Sequence, residues 1–258
     1  MSRLALSFAA WDYDRTRPLL SGELQPEGID LRGVILAPEE TFWRQLKHAE
    51  FDVSELSLAQ YTCLRSRGDG RFLALPVFLS RTFRHSCIFI NTRAEIREPR
   101  DLAGRRAGVP EYQMTAAVYM RGLLQHEYGV APESMQWFTA RDEQMKMPLA
   151  LPPSIRLQRI DPSRTLDGML EAGEIDVLLT ARTPLSFRRG SPHIARLFPD
   201  YVEAERRYYE KTRIFPIMHT VAVRRTILDK HPGLRAAYTR PSRPPRPAPW
   251  PTWWRAQR

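Results

Sequence analysis

Residues 104–130 constrain the fold of this chain more than any other segment. A short strand at 106–109 runs into Pro110, and a polar turn then leads to a helix that begins at Thr115. In α/β proteins a strand end followed by a helix N-terminus is where ligands bind, because free backbone N–H groups point into the space beyond the sheet. We therefore expect a ligand site at the turn, which carries a carboxyl, a phenol and an amide in the order Glu111-Tyr112-Gln113-Met114.

Strand and helix patterns alternate along most of the chain. Apolar strand patterns occur at residues 4–10, 31–36, 51–56, 72–78, 88–91, 175–180 and 214–223. Helical patterns occur at residues 16–21, 38–48, 57–67, 165–172, 197–211 and 226–238. The continuous apolar run at 175–180 is typical of a strand covered on both faces, as in parallel sheets. We therefore predict an α/β fold of two lobes with a binding cleft between them.

The lobe boundaries are expected where the chain crosses between the lobes. We predict that residues 1–92 and 214–239 form lobe 1, and that residues 93–213 form lobe 2. Residues 240–258 differ from both, because six prolines, five arginines and three tryptophans leave neither a helical nor a strand period. We interpret them as a disordered tail that follows a loss of reading frame near Tyr238, so that the C-terminal part of lobe 1 is missing. A recognition arm is the alternative.

The formal net charge of +10 overstates how basic the folded part is. Five of these charges lie in residues 240–258, which hold no acidic residue, and the remaining +5 suits an anionic small molecule as well as nucleic acid. We expect no nucleic-acid partner, although arginine and tryptophan in the tail leave single-strand binding as an alternative. The oligomeric state is open, and a homo-oligomer is compatible with the sequence.

Two further features argue against other classes of protein. The apolar run at residues 4–11 is cut off by Asp12 and Asp14, and no run approaches the ~20 apolar residues of a membrane span. We therefore expect a cytoplasmic protein with no membrane partner. Cys63 and Cys87 lack the spacing of a disulfide or metal framework, so we predict free thiols, no metal and no cofactor.

Four segments together resemble one enzyme family. They are FDVSELSLAQY (51–61), LPVFLSRTFRHSCIFIN (75–91), DLAGRRAGVPEYQMTAAVYMRGLLQHEYGV (101–130) and IFPIMHTVAVRR (214–225). Over residues 3–236 the chain resembles the 4,5-dihydroxyphthalate decarboxylase family, which shares the type II periplasmic-binding-protein fold. The resemblance implies non-oxidative loss of one carboxyl group from a dihydroxylated aromatic dicarboxylate, giving protocatechuate. The same fold also serves solute-binding proteins, so binding of an aromatic or heterocyclic anion is the alternative function.

The implied reaction needs cations for two carboxylates, a base for a catechol hydroxyl and an acid for the ring carbon. Arg81 and Arg84 follow a predicted strand and suit carboxylates, unless they are solvated or pair with Glu55 or Glu111. His85 titrates near neutrality and can move a proton, but a lone histidine is more often structural.

Two carboxyl groups are further candidates for proton transfer. Glu55 ends a buried strand after Ser54, where burial raises a carboxyl pKa and favours a general acid; a buried salt bridge is the alternative. Glu111 is expected to act as the acid or as the catechol base, unless it only caps the helix that follows.

The remaining candidates lie on the turn and on the returning segment near residue 219. Tyr112 and Gln113 are expected to hydrogen-bond ring hydroxyls, and Thr115 holds a carboxylate at the helix N-terminus or is only an N-cap. His219 is a second acid/base candidate, whereas Arg121 is predicted to be a surface charge. The full assignment is catalytic Glu55, His85, Glu111 and His219, with substrate-binding Ser54, Arg81, Arg84, Tyr112, Gln113, Thr115 and Thr220.

Overall fold

Two β-sheets organise the chain, each flanked by helices. The structure is a computed structural model, and it describes residues 3–143 and 149–234. Within those ranges the first sheet has five strands and the second has six. No helix in the same ranges is both long and apolar enough to cross a membrane.

The first sheet is built mainly from the first third of the chain. Its strands are β1 (Leu4–Ala10), β2 (Ile29–Ile35), β3 (Val53–Ser57), β4 (Phe72–Arg81) and β11 (Ile217–Arg224). Its helices are α1 (Arg17–Leu20), α2 (Pro38–His48), α3 (Leu58–Ser66) and α8 (Arg225–Lys230). The strand order is β2-β1-β3-β11-β4, with β1 parallel to both neighbours and β11 antiparallel to both of its own. The late strand β11 thus returns from the second sheet into the middle of the first.

The second sheet contains the strand–turn–helix segment at residues 104–130. Its strands are β5 (Ile88–Asn91), β6 (Arg106–Val109), β7 (Gln136–Thr139), β8 (Arg156–Arg159), β9 (Val177–Leu179) and β10 (Ile194–Arg196). Its helices are α4 (Thr115–Tyr128), α5 (Leu166–Ala172), α6 (Leu185–Arg188) and α7 (Tyr201–Thr212). The strand order is β10-β5-β9-β6-β7-β8, and β6 runs parallel to both β7 and β9.

The chain crosses between the sheets twice, before β5 and before β11. The two crossing segments lie side by side, because the backbone N–H of Thr82 donates to the carbonyl of Pro216 over 3.1 Å. The prediction that residues 88–92 belong to lobe 1 is wrong for β5, which pairs with β9 and β10 in the second sheet. Its side chains Ile88 and Ile90 are buried in the core of that sheet, so hydrophobic packing draws this strand across.

Several predicted elements are confirmed, and others were missed. The helix at 38–48, the strand at 106–109 and the helix start at Thr115 have the predicted bounds. Strands β7, β8 and β10 were not predicted, since they are three or four residues long and β8 reads Arg-Leu-Gln-Arg without an apolar run. Residues 235–258, and with them the end of the helix predicted at 226–238 and the predicted tail, lie outside the described residues.

Local sequence explains why helix N-termini gather at one edge of the sheets. Helix α2 begins with Pro38 at its first position and has glutamates in its first turn, which suits the helix dipole. Helix α3 follows β3 directly and is capped by Ser57, whose hydroxyl accepts from the N–H of Gln60. Helix α4 begins at Thr115, after the turn that follows β6, and its last residue Tyr128 is followed by Gly129, whose φ of 72° is the left-handed conformation that glycine adopts freely. These three helices therefore start where their preceding strands end.

The core of the second sheet packs against the polar turn at residues 110–114. Trp137 on β7 is fully buried, and its indole N–H donates to the carbonyl of Pro132 over 2.8 Å. Truncation of a buried tryptophan to alanine costs about 3–5 kcal/mol of unfolding free energy. A Cβ at Gly108 on β6 would lie 2.6 Å from Cδ1 of Ile175 and 3.0 Å from Cδ2 of Leu166, so these side chains would have to move to admit one. Strand β6 is thus closely packed just before the turn begins.

Candidate active site

A cavity of about 400 Å³ lies between the carboxyl ends of strands from both sheets. Trp11 and Tyr13 follow β1, Ser57 ends β3, and Glu111 follows β6. The other lining residues are Pro38, Glu39, Phe42, Gln60, Arg84, Met114, Thr115, Ala116, Arg141, Ala181, Arg182 and His219. The cavity therefore lies at the strand-end position that the sequence predicted, and residues of both sheets line it.

The first-sheet wall of the cavity contains a histidine–carboxylate pair. Nδ1 of His219 lies 2.7 Å from Oε1 of Glu55. His219 is opposite Ser57 and Glu55 is opposite Val221 across the β3–β11 ladder, so the two side chains are diagonal neighbours on one face. Because a carboxylate faces Nδ1, that nitrogen carries the proton in neutral His219, and Nε2 is left as a base.

Glu55 is fully buried and accepts hydrogen bonds from three donors, two in the loop after β1 and one on β11. Besides His219, the Tyr13 hydroxyl donates to Oε1 over 2.7 Å, and the Trp11 backbone N–H donates to Oε2 over 3.1 Å. Burial alone would raise the pKa of the Glu55 carboxyl, but the hydrogen bond from His219, the charge of that ring when it is protonated, and the hydrogen bonds from Tyr13 and Trp11 outweigh it and hold the pKa below its usual value. Burial and the Glu55 charge raise the pKa of the Tyr13 phenol, which stays protonated. Glu55 is thus an ionised carboxylate behind His219, not the raised-pKa acid that burial alone suggests.

The second-sheet wall contains Glu111, held in a different electrostatic state. Its carboxyl is buried and faces one cation, with Nε of Arg141 2.5 Å from Oε1; the amide of Gln60 lies 3.4 Å from Oε2. Burial raises the pKa of Glu111 to about 7, because the Arg141 guanidinium only partly offsets it and the charges of Glu143 and Glu39 act in the same direction as burial. A carboxyl that exchanges protons near neutral pH therefore faces the cavity.

The backbone of the polar turn is fixed by Glu143. One carboxylate oxygen accepts from the N–H of Tyr112 over 2.6 Å, and both oxygens lie 3.1 Å from the N–H of Gln113. The Tyr112 ring packs on Trp137 and beneath the Arg121 guanidinium, whose Cζ lies 3.6 Å from the ring centroid. Tyr112 and Gln113 therefore do not line the cavity, and Arg121 is not the solvated surface charge that its helical position predicted.

Arg84 is the predicted arginine that reaches the cavity. Its guanidinium donates to two sulfur atoms, Sδ of Met218 at 3.1 Å and Sγ of Cys87 at 3.7 Å. Sulfur is a weak acceptor, so these contacts position the guanidinium and leave it able to bind a carboxylate. Arg81, in contrast, is exposed, stacks on Phe215 and donates to that residue's carbonyl away from the cavity.

Two helix N-termini meet at the floor of the cavity. The Thr115 hydroxyl lies 2.8 Å from that of Ser57 and accepts from the backbone N–H of Ala59 over 3.1 Å. Thr115 is the first residue of α4 and Ser57 is the N-cap of α3, so the positive ends of both helix dipoles face the same space. An anion bound between them gains from both.

The structure places the other predicted residues away from the cavity. His85 is buried among Phe198 and Tyr208, neither ring nitrogen has a hydrogen-bond partner among the residues described, and burial lowers its pKa to about 4. Ser54 is fully buried within β3, and the Thr220 hydroxyl donates to the carbonyl of Leu75. His85, Ser54 and Thr220 are buried and do not line the cavity, so we interpret them as residues that support the fold.

Sequence reasoning missed much of the lining. Tyr13 and Trp11 follow a correctly predicted strand end, and that position was the signal that could have identified them. Arg141 follows β7, which was not predicted, so nothing placed it beside Glu111. Arg182 pairs with Glu39 on α2 over 2.8 Å, and this contact joins the two sheets at the cavity. Within the described ranges no group of three His, Cys, Asp or Glu side chains is arranged to hold a metal ion.

Sequence comparison gives two informative relatives, although no protein-family model matches the chain. A 4,5-dihydroxyphthalate decarboxylase of Comamonas testosteroni is 42% identical over 241 residues, which are 92% of this chain and 73% of the relative. A 4,5-dihydroxyphthalate decarboxylase of Pseudomonas putida is 38% identical over 204 residues, which are 78% of this chain and 79% of the relative.

Structure comparison identifies the fold. The periplasmic aliphatic sulphonate binding protein SsuA of Escherichia coli matches 92% of this chain and 70% of its own, with a TM-score of 0.56 and 11% identity. The alkanesulfonate-binding protein SsuA of Xanthomonas axonopodis pv. citri matches 92% and 71%, with a TM-score of 0.55 and 11% identity. The two-lobed α/β prediction is confirmed as the type II periplasmic-binding-protein fold, and the chain belongs to the 4,5-dihydroxyphthalate decarboxylase family.

Proposed function

We propose that this protein is a carboxy-lyase that converts 4,5-dihydroxyphthalate to protocatechuate and CO2. One observation carries the proposal beyond family membership. A single cavity holds a buried carboxyl whose pKa is raised to about 7, Glu111, and a histidine backed by an ionised carboxylate, His219 with Glu55. A buried carboxyl with a raised pKa and a histidine whose ring is oriented by an ionised carboxylate can supply the acid and the base that the reaction requires.

The reaction is a proton transfer to a ring carbon followed by loss of CO2. Nε2 of His219 takes the proton from the hydroxyl para to the departing carboxylate, and the resulting phenolate increases electron density at that ring carbon. Glu111 donates its proton to the carbon, the bond to the carboxylate breaks, and its electron pair restores the aromatic ring. The His219 proton returns to the phenolate oxygen, and Glu111 regains a proton from solvent, so one proton is consumed per CO2 released.

Two arginines are placed to hold the carboxylates of the substrate. We assign Arg84 and Arg141 to this role, because both guanidinium groups line the cavity. The N-termini of α3 and α4 add positive potential at Ser57 and Thr115. Trp11 and Phe42 supply apolar surface for the aromatic ring.

We assign Glu55 a positioning role: it acts on the His219 ring and not directly on the substrate. As an ionised acceptor of the Nδ1 proton, it fixes the tautomer that leaves Nε2 free, and it stabilises the imidazolium that forms. Tyr13 and the Trp11 N–H hold Glu55 itself, so neither is required to transfer a proton.

We propose that the two sheets act as lobes that close on the substrate about the two crossing segments. The Arg182–Glu39 pair joins the two sheets at the cavity through a bidentate contact, and in this proposal it holds the lobes together once they have closed. The segments at 82–87 and 213–216 are the hinge in this proposal, because they are where the chain passes between the sheets.

The alternative is a solute-binding protein for an aromatic or heterocyclic anion, suggested by the fold. A protein that only binds an anion gains nothing from Glu111 and Glu55, since a carboxylate near an anion weakens its binding. The buried acid and the His219–Glu55 pair therefore favour the enzyme.

Incubation of the purified protein with 4,5-dihydroxyphthalate tests the proposal. We expect protocatechuate and CO2 in equal amounts, measured by liquid chromatography and by CO2 release, and a Glu111→Gln variant that makes neither. Saturable binding of the unchanged ligand by the wild type would instead identify a binding protein.

A further inference from the structure

Arg141 is the only described cation in contact with Glu111, and it is also one of the two arginines that we assign to the substrate carboxylates. Arg141 lies 2.5 Å from Glu111 Oε1, yet that oxygen receives no hydrogen bond of normal geometry from the residues described. The Arg141 side chain is 47% exposed, whereas the Glu111 side chain is 2% exposed. The pair is thus a close ionic contact between a buried acid and a half-exposed guanidinium that lines the cavity.

The other charged groups around Glu111 are mostly negative. Glu143 lies on the same loop as Arg141 and binds the backbone of the turn, and Glu39 approaches from α2 on the opposite sheet. Arg182 also lines the cavity, but a bidentate contact holds it on Glu39. Without Arg141, Glu111 would therefore face carboxylates and the neutral amide of Gln60.

A substrate with two carboxylates brings two further negative charges into this cavity. Arg84 supplies one guanidinium, whose described hydrogen bonds go only to sulfur. Apart from Arg182, which Glu39 holds, the second guanidinium in the cavity is that of Arg141. One carboxylate for each arginine requires Arg141 to leave Glu111.

We propose that Arg141 exchanges partners when a dicarboxylate binds, moving from Glu111 to a carboxylate of the ligand, and that Glu111 then takes up one proton from solvent. No covalent bond is made or broken in this step: ionised Glu111, the dianionic ligand and one proton become neutral Glu111 and a ligand carboxylate paired with Arg141. The inference rests on the proposed function, because it takes an aromatic dicarboxylate as the ligand. Arg141 thereby acts as a positioning residue whose departure increases the protonated fraction of the catalytic acid when substrate binds.

The proton uptake can be measured without catalysis. Phthalate has the two adjacent carboxylates of the substrate but lacks the hydroxyl groups that the reaction needs. Calorimetric titration at pH 8, in two buffers of different ionisation enthalpy, gives the number of protons taken up per phthalate bound. Because the pKa of Glu111 in the free protein is about 7, that carboxyl is mostly ionised at pH 8, and we expect an uptake of more than about 0.5 proton.

Three variants test whether the proton taken up on phthalate binding goes to Glu111 as Arg141 leaves it. Glu111→Gln should still bind phthalate but take up no proton, and Arg141→Gln should bind it more weakly with little uptake. Arg159→Gln is the matched control, since Arg159 is a similarly exposed arginine on the neighbouring strand that pairs with Asp142. It should behave as the wild type does.

The outcomes separate this inference from the proposed function. Phthalate binding without proton uptake, an unchanged uptake in Glu111→Gln, or no phthalate binding at all would overturn the exchange. A protein that still decarboxylates 4,5-dihydroxyphthalate in those cases retains the proposed function. A protein that neither binds phthalate nor turns over the substrate loses both.

Discussion

The two walls of the cavity contain the same chemical group in opposite states. Glu55 lies in the middle of the buried strand β3 and Glu111 lies two residues beyond the end of β6, and both are almost fully buried. Glu55 accepts hydrogen bonds from a histidine, a phenol and a backbone N–H, and its pKa is lowered. Glu111 faces one arginine and two further carboxylates, and its pKa is raised to about 7.

The difference shows that burial alone does not determine which carboxyl is the acid. Desolvation raises the pKa of both groups, and the hydrogen-bond donors and charges around each carboxylate decide the net direction. The second wall supplies few donors because Glu143, rather than Glu111, accepts the backbone N–H groups of the turn. The first-sheet wall therefore has an ionised carboxylate, Glu55, behind the proposed base His219. The second-sheet wall has a carboxyl, Glu111, that holds its proton more tightly than an ordinary glutamate does.

Removing the acid is expected to have the largest effect. Glu111→Gln keeps the shape of the side chain but has no proton to give, so kcat should fall by about 1,000-fold or more. Steady-state kinetics with 4,5-dihydroxyphthalate measures this. Glu205→Gln is the control, because burial also raises the pKa of that carboxyl but it lies outside the cavity. Equal losses in the two variants would contradict the assignment of Glu111.

The two predicted histidines should differ strongly. His219→Asn removes the base and should lower kcat by about 100-fold or more. His85→Phe replaces a buried ring whose nitrogens have no described partner, and loss of both polar atoms from an apolar site costs little, so activity should stay within about threefold. The same kinetic assay measures both variants, and a larger loss in His85→Phe would reverse the choice between them.

Removing the carboxylate behind His219 should have a smaller effect. Glu55→Gln no longer fixes the Nδ1 proton, and loss of such a partner typically lowers activity by about 10- to 100-fold. The fall should appear in kcat with KM nearly unchanged. In the His219→Asn background the same change should have almost no further effect on kcat. Additive losses in the double variant would show that Glu55 acts independently of His219.

The arginine assignment predicts a change in KM. Arg84→Gln removes a charge-assisted contact of about 2 kcal/mol, so KM should rise by about 30-fold with a smaller change in kcat. Arg81→Gln is the matched control three residues away, and its KM should match the wild type, since Arg81 stacks on Phe215 outside the cavity. A higher KM in Arg81→Gln than in Arg84→Gln would exchange the two roles.

Regular elements explain which parts of the site the sequence could predict. The β6–turn–α4 unit has a clear strand run and a clear helix start, so Glu111 and Thr115 were placed correctly beside the cavity. Glu55 and His219 were also selected as candidates, and both lie on predicted strands. Their mutual contact was not predicted, since pairing of β3 with β11 depends on a connection across the second sheet.

Irregular segments explain the failures. Arg81 ends β4, whereas Arg84 and His85 lie in the segment between β4 and β5, so no single helical or strand period relates the three side chains. The sequence therefore could not tell that Arg84 faces the cavity while Arg81 and His85 do not. Tyr112 looked like a ligand-binding phenol in the turn, but Trp137 and Arg121 attract its ring into the core. Side-chain direction in such turns is set by packing partners that are distant in sequence.

The dependence of kcat/KM on pH tests the central claim most directly, namely that Glu111 donates the proton. The protonated form of Glu111 is the active one, so kcat/KM should fall tenfold per pH unit above about pH 7. Glu143→Gln should move this midpoint to lower pH, because the Glu143 charge raises the pKa of Glu111. A profile that stays level or rises above pH 7, or a midpoint that Glu143→Gln leaves unchanged, would contradict Glu111 as the acid.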